Sequence, residues 1–457
     1  MTCRLFVRTL VAGSIVAAAF LSGSLHVDAA PAANGWTETT LHAFQNGPDS
    51  AAASSALMAD AAGNLYGETQ GAYLPCPDSH AAHGPIGIRA VCGTVYELIQ
   101  PSKPGGMWAE KILYAFNGHD GTCCPRGGLT FDAAGNLFGA MGDGLKGAGA
   151  LFELSPTKSG PWSRTVIYRF RNGADGNAPT GSMVFDQHGN LFGVTALGGS
   201  TFAGTVFEVS PPQTAGEPWV HRVLLSFTND GPNGFLPQGG PVLDAAGALY
   251  GTTLFGGTFT NFCQSGCGVV YRLVPSQPGG NYVQQVLLRF NGANDGALPQ
   301  DGLVFDRAGS LYGTTSLGQP GGAAPAGSVF RLAPPGRPGA SWTETVLYAF
   351  RQYPNDAAYP HAGVRFDAAG DLYGTSQDGG GSRQVGTVFR LAPPPPGGTT
   401  WTESLLHIFG AKNDGIYPDY DVLVGKGGVY VTTMWGGASP NCTGEIPGCG
   451  AAFALSP

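Results

Sequence analysis

Short apolar runs interrupted by an Asp-x-x-Gly step recur along the whole chain. The clearest copy is Phe305 to Thr315, Phe-Asp-Arg-Ala-Gly-Ser-Leu-Tyr-Gly-Thr-Thr. Others centre on Asp60 to Gly67, Asp132 to Gly139, Asp186 to Gly193, Asp244 to Gly251, Asp367 to Gly374 and, degenerate, Leu423 to Val431. Apolar residues on both sides of such a step predict a strand, a tight turn and a returning strand. Asp bonds to backbone amides at the turn, and Gly supplies the positive φ.

Two more apolar runs complete each unit. In the fifth, Gly302–Asp306 and Ser310–Thr315 precede Gly327–Leu332 and Trp342–Phe350, separated by Gly/Pro-rich connections. Val, Leu, Phe, Tyr and Thr dominate, so the prediction is four strands per unit and an all-β chain. The third strand recurs as Gly93-Thr-Val-Tyr, Gly149-Ala-Leu-Phe, Gly204-Thr-Val-Phe, Gly268-Val-Val-Tyr, Gly386-Thr-Val-Phe and Gly450-Ala-Ala-Phe. The fourth keeps an aromatic pair eight apart: Trp108/Phe116, Trp162/Phe170, Trp219/Phe227, Tyr282/Phe290, Trp342/Phe350 and Trp401/Phe409. An even offset predicts both rings on one face of the strand.

The seventh unit ends on its third strand. Its missing fourth strand matches Trp36-Thr-Glu-Thr-Thr-Leu-His-Ala-Phe44 at the other end of the chain. A unit shared between the termini predicts a closed seven-bladed β-propeller of four-stranded antiparallel blades, the last blade closed by residues 36–44. Closure removes the exposed edges that an open array would have to protect. One domain, residues 30–457, is expected.

The repeated Asp-x-x-Gly-Asn-Leu-Tyr-Gly-Thr-Thr…Gly-Gly…Gly-Thr-Val-Phe pattern resembles the bacterial choice-of-anchor tandem repeat GloVer-containing family over residues 36–457. The resemblance implies an exported repeat protein, often followed in that family by a C-terminal surface-sorting segment. This sequence ends on the repeat itself, so no recognisable C-terminal anchor is expected. The turn Asp is also lost in the seventh unit, where Val424 stands.

Arg4 and Arg8, an apolar run from about Leu10 to Leu21 and small residues around Val27 to Ala32 have the order of a secretory signal peptide, assigned to residues 1–29. The run is too short to span a bilayer comfortably, so no transmembrane segment is expected and the mature protein is secreted or periplasmic. The chain is acidic, with 23 Lys+Arg against 31 Asp+Glu. That argues against nucleic acid or an anionic membrane as partner. A monomer is expected.

In an up-and-down blade, the second-to-third loops and the crossings to the next blade share one face. These are the variable segments, and variable loops on a rigid scaffold are where binding resides. Each crossing carries an acidic residue: Asp49, Asp120, Asp175, Asp230, Asp295, Asp356 and Asp414. Seven carboxylates in rough rotational symmetry can hold calcium or a cationic ligand, and each can equally cap its own turn. No dedicated metal motif is present. The second-to-third loops carry Tyr73, Phe202, Phe255, Phe259, Phe262 and Trp435. Trp435 is the one tryptophan outside the fourth-strand position. Exposed rings there, Trp435 and Phe255 foremost with Tyr73, Asp295 and Asp414 beside them, suit a carbohydrate ligand; rings folded inward would merely anchor the loops.

Eight cysteines remain after export. Cys76/Cys92, Cys263/Cys267 and Cys442/Cys449 each bracket one second-to-third loop, the second member preceding the third-strand glycine. Local disulfides are expected. Cys76, His80, His83 and Cys92 offer zinc as an alternative, disfavoured because the other pairs lack histidine. Cys123 and Cys124 are adjacent and can form a vicinal disulfide or remain thiols. There is no Gly-x-Ser-x-Gly, His-Glu-x-x-His or phosphate-binding Gly-Lys-Ser/Thr motif. The expected function is an exported binding or surface-interaction scaffold, with a glycan or surface protein as partner and no cofactor. The alternative is an extracellular polysaccharide hydrolase or lyase with acidic residues at the channel mouth.

Overall fold

The computed structural model describes residues 35–45, 51–71, 92–103, 105–117, 122–143, 148–158, 160–214, 216–229, 231–277, 280–293, 295–318, 326–337, 339–351, 356–381, 385–410, 414–438 and 448–457. The 1–29 segment lies outside them. The described residues hold no α-helix and form seven four-stranded antiparallel blades arranged as a β-propeller. The fifth blade, Val304–Phe305, Leu311–Thr315, Ser328–Ala333 and Thr343–Ala349, is typical. In the seventh, Leu423–Gly425, Gly428–Thr433 and Ala451–Ser456 are followed outward by Thr37–Ala43, paired from Thr37 opposite Ser456 to Ala43 opposite Ala451. The split blade stands as expected.

The fourth strands differ from expectation. In all seven, the pairing with the third strand skips one residue, a β-bulge: Leu41, Leu113, Ile167, Leu224, Leu287, Leu347 and Leu406. One extra residue reverses the alternation of side chains, so the Trp and Phe eight apart do not share a face. Trp36 packs on Tyr373 of the preceding blade, whereas Phe44 packs on Tyr96 of the following one. Trp108 likewise meets Tyr430 behind it, and Phe116 meets Phe152 ahead.

This split makes the fourth-strand Phe the main inter-blade contact. At every junction it meets the third-strand ring of the next blade: Phe44–Tyr96, Phe116–Phe152, Phe170–Phe207, Phe227–Tyr271, Phe290–Phe330, Phe350–Phe389 and Phe409–Phe453. Centroid separations are 5.1 to 5.9 Å, in tilted or edge-to-face geometries that suit the ring quadrupoles. The third-strand ring in turn lies over the glycine of Leu-Tyr-Gly. A Cβ on Gly313 would sit 2.8 Å from the Phe330 ring, which explains why the second strand carries glycine there.

Each crossing carries a second device. Ala52, Cys124, Ala178, Leu236, Leu298, Tyr359 and Tyr417 all have φ between 54° and 60°. Their amides donate to the carbonyls of Cys449, Cys92, Ala148, Ala203, Cys267, Ala326 and Val385, the residues before the third-strand glycines. Six of the seven precede proline, whose ring packs against that glycine; in blade 3 a Cβ on Gly204 would lie 2.6 Å from Pro237 Cδ. The left-handed residue thus latches each crossing onto the blade it leaves.

Candidate functional site

Near the axis the first strands approach through their glycines. Gly127, Gly181, Gly239, Gly240 and Gly302 abut one another's backbones with no room for a Cβ. Hydroxyls bridge adjacent blades there: Thr252 to the Asp301 carbonyl, Thr314 to Ala362, Thr375 to Tyr420 and Thr432 to Ser55, at 2.7–3.0 Å. In blade 1 Glu68 takes this threonine position. It is fully buried, its Oε2 accepts from the Gly128 amide at 3.2 Å, and Oε1 has no partner. Burial pushes its carboxyl up to about 8.

A cavity of about 240 Å³ lies at the axis, lined by apolar first-strand residues such as Leu57, Leu129 and Phe366 and by Arg365 and Asp421. Arg365 is ion-paired with Asp421 Oδ2, and the buried Oδ1 of Asp421 has no partner. Asp301 accepts from the Gly363 amide at 3.2 Å. Burial, and then the charge of Asp421, hold the Asp301 carboxyl above the ordinary range. These axial carboxylates were not singled out from the sequence, because Asp301 and Asp421 occupy no common repeat position with other acids.

The described crossing carboxylates, Asp175, Asp295, Asp356 and Asp414, do not line this cavity and belong instead to separate blade junctions beside the fourth strands. Asp175 accepts from Tyr168 at 2.8 Å, and His221 stacks on that tyrosine at 4.1 Å. Asp356 accepts from Tyr348, which also contacts Glu403. Asp295 caps its own turn through the Asn291 and Gly292 amides and is raised by burial. Asp414 accepts from the Gly410 amide at 3.0 Å and meets His407, which also reaches Glu38. Burial raises the Glu38 carboxyl to about 7, and the Asp414 and Glu38 carboxylates raise His407 against the opposing effect of burial. Asp49, Asp120 and Asp230 lie outside the described residues.

The expected stacking platforms need correction. Trp435 is only 6% exposed, because Trp435–Gly436 pairs with the crossing strand Gly415–Ile416 and turns the ring inward. Phe255 occupies the matching position and is half-buried against Phe235 at 5.5 Å. The open rings are three others from that loop set: Phe202 (58% exposed), Phe259 (51%) and Phe262 (46%), in the loops of adjacent blades 3 and 4. Tyr73 lies outside the described residues.

Cys263 and Cys267 form the expected local disulfide. Cys449 is disulfide-bonded, and its expected partner Cys442 lies outside the described residues. So do Cys76, His80 and His83, the remaining members of the alternative zinc set, and the side chain of Cys123. Cys92 and Cys124 share one core cluster, the Cys124 amide donating to the Cys92 carbonyl.

The profile of the Gloeobacter/Verrucomicrobia repeat matches residues 27–207, 81–319 and 186–446, which overlap along nearly the whole chain. The chain belongs to the Gloeobacter/Verrucomicrobia repeat family. No curated protein sequence matches this repeat protein. Among solved structures it is similar to a glucose dehydrogenase-type oxidoreductase of Thermus thermophilus (19% identity, 72% of this chain and 95% of that one, TM-score 0.38). It is also similar to the PQQ-bound aldose sugar dehydrogenase of Streptomyces coelicolor (13%, 73% and 94%, 0.39). A protein of unknown function from Dyadobacter fermentans covers more of the repeats (13%, 93% and 99%, 0.39). No helix among the described residues is long and apolar enough to cross a membrane.

Proposed function

We propose that this protein is an exported binding scaffold whose ligand face is formed by the second-to-third loops of blades 3 and 4, and that its ligand is an extended glycan. The observation that carries the reading is the exposure of Phe202, Phe259 and Phe262, each about half open to solvent, in the second-to-third loops of two adjacent blades. Three further observations support a surface held ready. Phe202 sits at φ 59°, a conformation unfavourable for a bulky side chain. The neighbouring Thr201 hydroxyl is tied to the Phe227 carbonyl at 3.0 Å. Phe262 is followed directly by the Cys263–Cys267 disulfide and rests over Gly292. Flat rings fixed in this way contact the apolar face of a sugar with little loss of rotamer entropy.

The test is a glycan array followed by affinity electrophoresis on wild type, Phe259→Ala and Phe202→Ala, with melting curves on each. Both variants are expected to keep the wild-type melting temperature and lose roughly tenfold in affinity, about 1.4 kcal/mol. Unchanged binding in both, or no glycan bound by the wild type, overturns the reading. Trp435→Ala serves as the contrast: a buried ring lost there lowers stability.

A second reading, a polysaccharide-processing enzyme, draws on the unpartnered Asp421 Oδ1 in the axial cavity. Cleavage of a bound polysaccharide by the wild type, abolished in Asp421→Asn at unchanged melting temperature, would establish it in place of the scaffold.

A further inference from the structure

We propose that Glu38, His407 and Asp414 form a divalent-cation site of the zinc or manganese class that clasps the N-terminal strand to blade 6. His407 Nε2 lies 3.1 and 3.2 Å from the two Asp414 carboxylate oxygens and 3.2 Å from Oε2 of Glu38. One ligand atom from each residue falls within 4.8 Å of the other two. With metal–ligand bonds of about 2.0–2.2 Å, the edges of a tetrahedral shell measure roughly 3.3–3.6 Å. The three side chains thus stand near coordination spacing, with a fourth position left for water or another ligand.

The donor set selects the ion. One imidazole and two carboxylates suit zinc or manganese, whereas calcium seeks 6–8 oxygen ligands. Two carboxylates facing one neutral imidazole also balance a dication.

Comparison among the junctions supplies an independent argument. The position of His407 is filled in the other blades by His42, Tyr114, Tyr168, Leu225, Leu288 and Tyr348. At two described junctions a tyrosine hydroxyl donates to the crossing aspartate, Tyr168 to Asp175 and Tyr348 to Asp356. Histidine replaces it only at the two junctions that flank blade 7. At the second of these, His42 lies 3.6 Å from Glu110. Both junctions take one residue from the N-terminal strand, Glu38 in one and His42 in the other. The substitution is therefore confined to the two junctions of the blade whose fourth strand is supplied non-covalently by the far end of the chain. An ion bound by Glu38, His407 and Asp414 joins position 38 to positions 407 and 414, and its binding free energy adds directly to ring closure.

The test uses the full chain purified without a polyhistidine tag and stripped with chelator, then titrated separately with Zn²⁺, Mn²⁺ and Ca²⁺ by calorimetry, with melting curves at each step. The expected result is one equivalent of Zn²⁺ or Mn²⁺, Ca²⁺ bound more weakly, and a melting temperature that rises with the tighter ion. In His407→Gln and in Glu38→Gln the affinity should fall about tenfold or more, and the rise should vanish. Co²⁺ substitution gives a readout independent of stability: the wild type should show visible absorption typical of four-coordinate cobalt, and Glu38→Gln should lose it. No binding by the folded wild type, preference for Ca²⁺, or wild-type binding in His407→Gln each overturns the site.

Discussion

Single residues that break the repeat mark where this fold departs from its own rule, and Glu68 is the clearest. Four other blades place threonine at its position and bridge to the next blade with a neutral hydroxyl. Glu68 instead presents a carboxyl that is fully buried, with one oxygen unpartnered. Its folded carboxyl keeps a proton to about pH 8, against the ordinary 4.5. The folded state therefore binds more protons than the unfolded chain between those values. Its contribution to stability is complete below pH 4.5 and is lost as pH rises towards 8. Glu68→Gln, which cannot ionise, should melt close to wild type at pH 4.5 and progressively higher than wild type as pH rises to 8. Parallel melting curves for the two proteins across that window would show that Glu68 is not the group responsible.

At the scale of the element, the crossing latch and the fourth-strand bulge decide how blades meet. The third-strand glycine lies under the proline of the crossing with φ at +98° in Gly204, and its Cβ position is also 2.6 Å from the Thr195 carbonyl. Gly204→Ala should therefore combine backbone strain with a steric clash and cost about 2–4 kcal/mol, read as a lower urea midpoint at unchanged slope. A midpoint within error of wild type would mean that the latch is slack. Much of this level was legible beforehand. The turns, the four strands, the third-strand glycine and the eight-residue Trp–Phe spacing all followed from side-chain pattern. What was not legible has a physical reason. The bulge falls on an ordinary Leu or Ile that looks like any other strand residue, so side-chain parity carried straight through it places both rings on one face. The left-handed latch residue is Ala, Cys, Leu or Tyr, with no shared chemistry; only the following proline hinted at it. The burial of Trp435 is hidden for a similar reason: the loop that carries it is partly an added strand, which a Gly-rich sequence conceals. The Glu38–His407–Asp414 cluster needed three dimensions, because its members come from opposite ends of the chain.

For the whole molecule, the decisive interaction is the return of the N-terminal strand to blade 7. That strand pairs with Ala451–Ser456 along its length and places Trp36 against blade 6 and Leu41 and Phe44 in the cluster shared with blade 1. Three large side chains at about 1.5–3 kcal/mol each represent a sizeable part of the roughly 5–15 kcal/mol that holds a typical domain folded. Beginning the chain after residue 45 would remove that contribution and leave the third strand of blade 7 as an open edge, available to pair with another copy. The truncated protein is expected to melt well below the full chain and to sediment as oligomers. Adding a peptide of residues 35–45 should restore the melting temperature in a concentration-dependent way, because it binds only the folded ring. Phe44→Ala in the intact chain separates packing from edge exposure: it should cost about 3–5 kcal/mol yet remain monomeric, since the strand still covers the edge. A truncated chain that melts like the full one, or that does not respond to the peptide, would mean that the propeller is held closed by its other five junctions and that the N-terminal strand is dispensable.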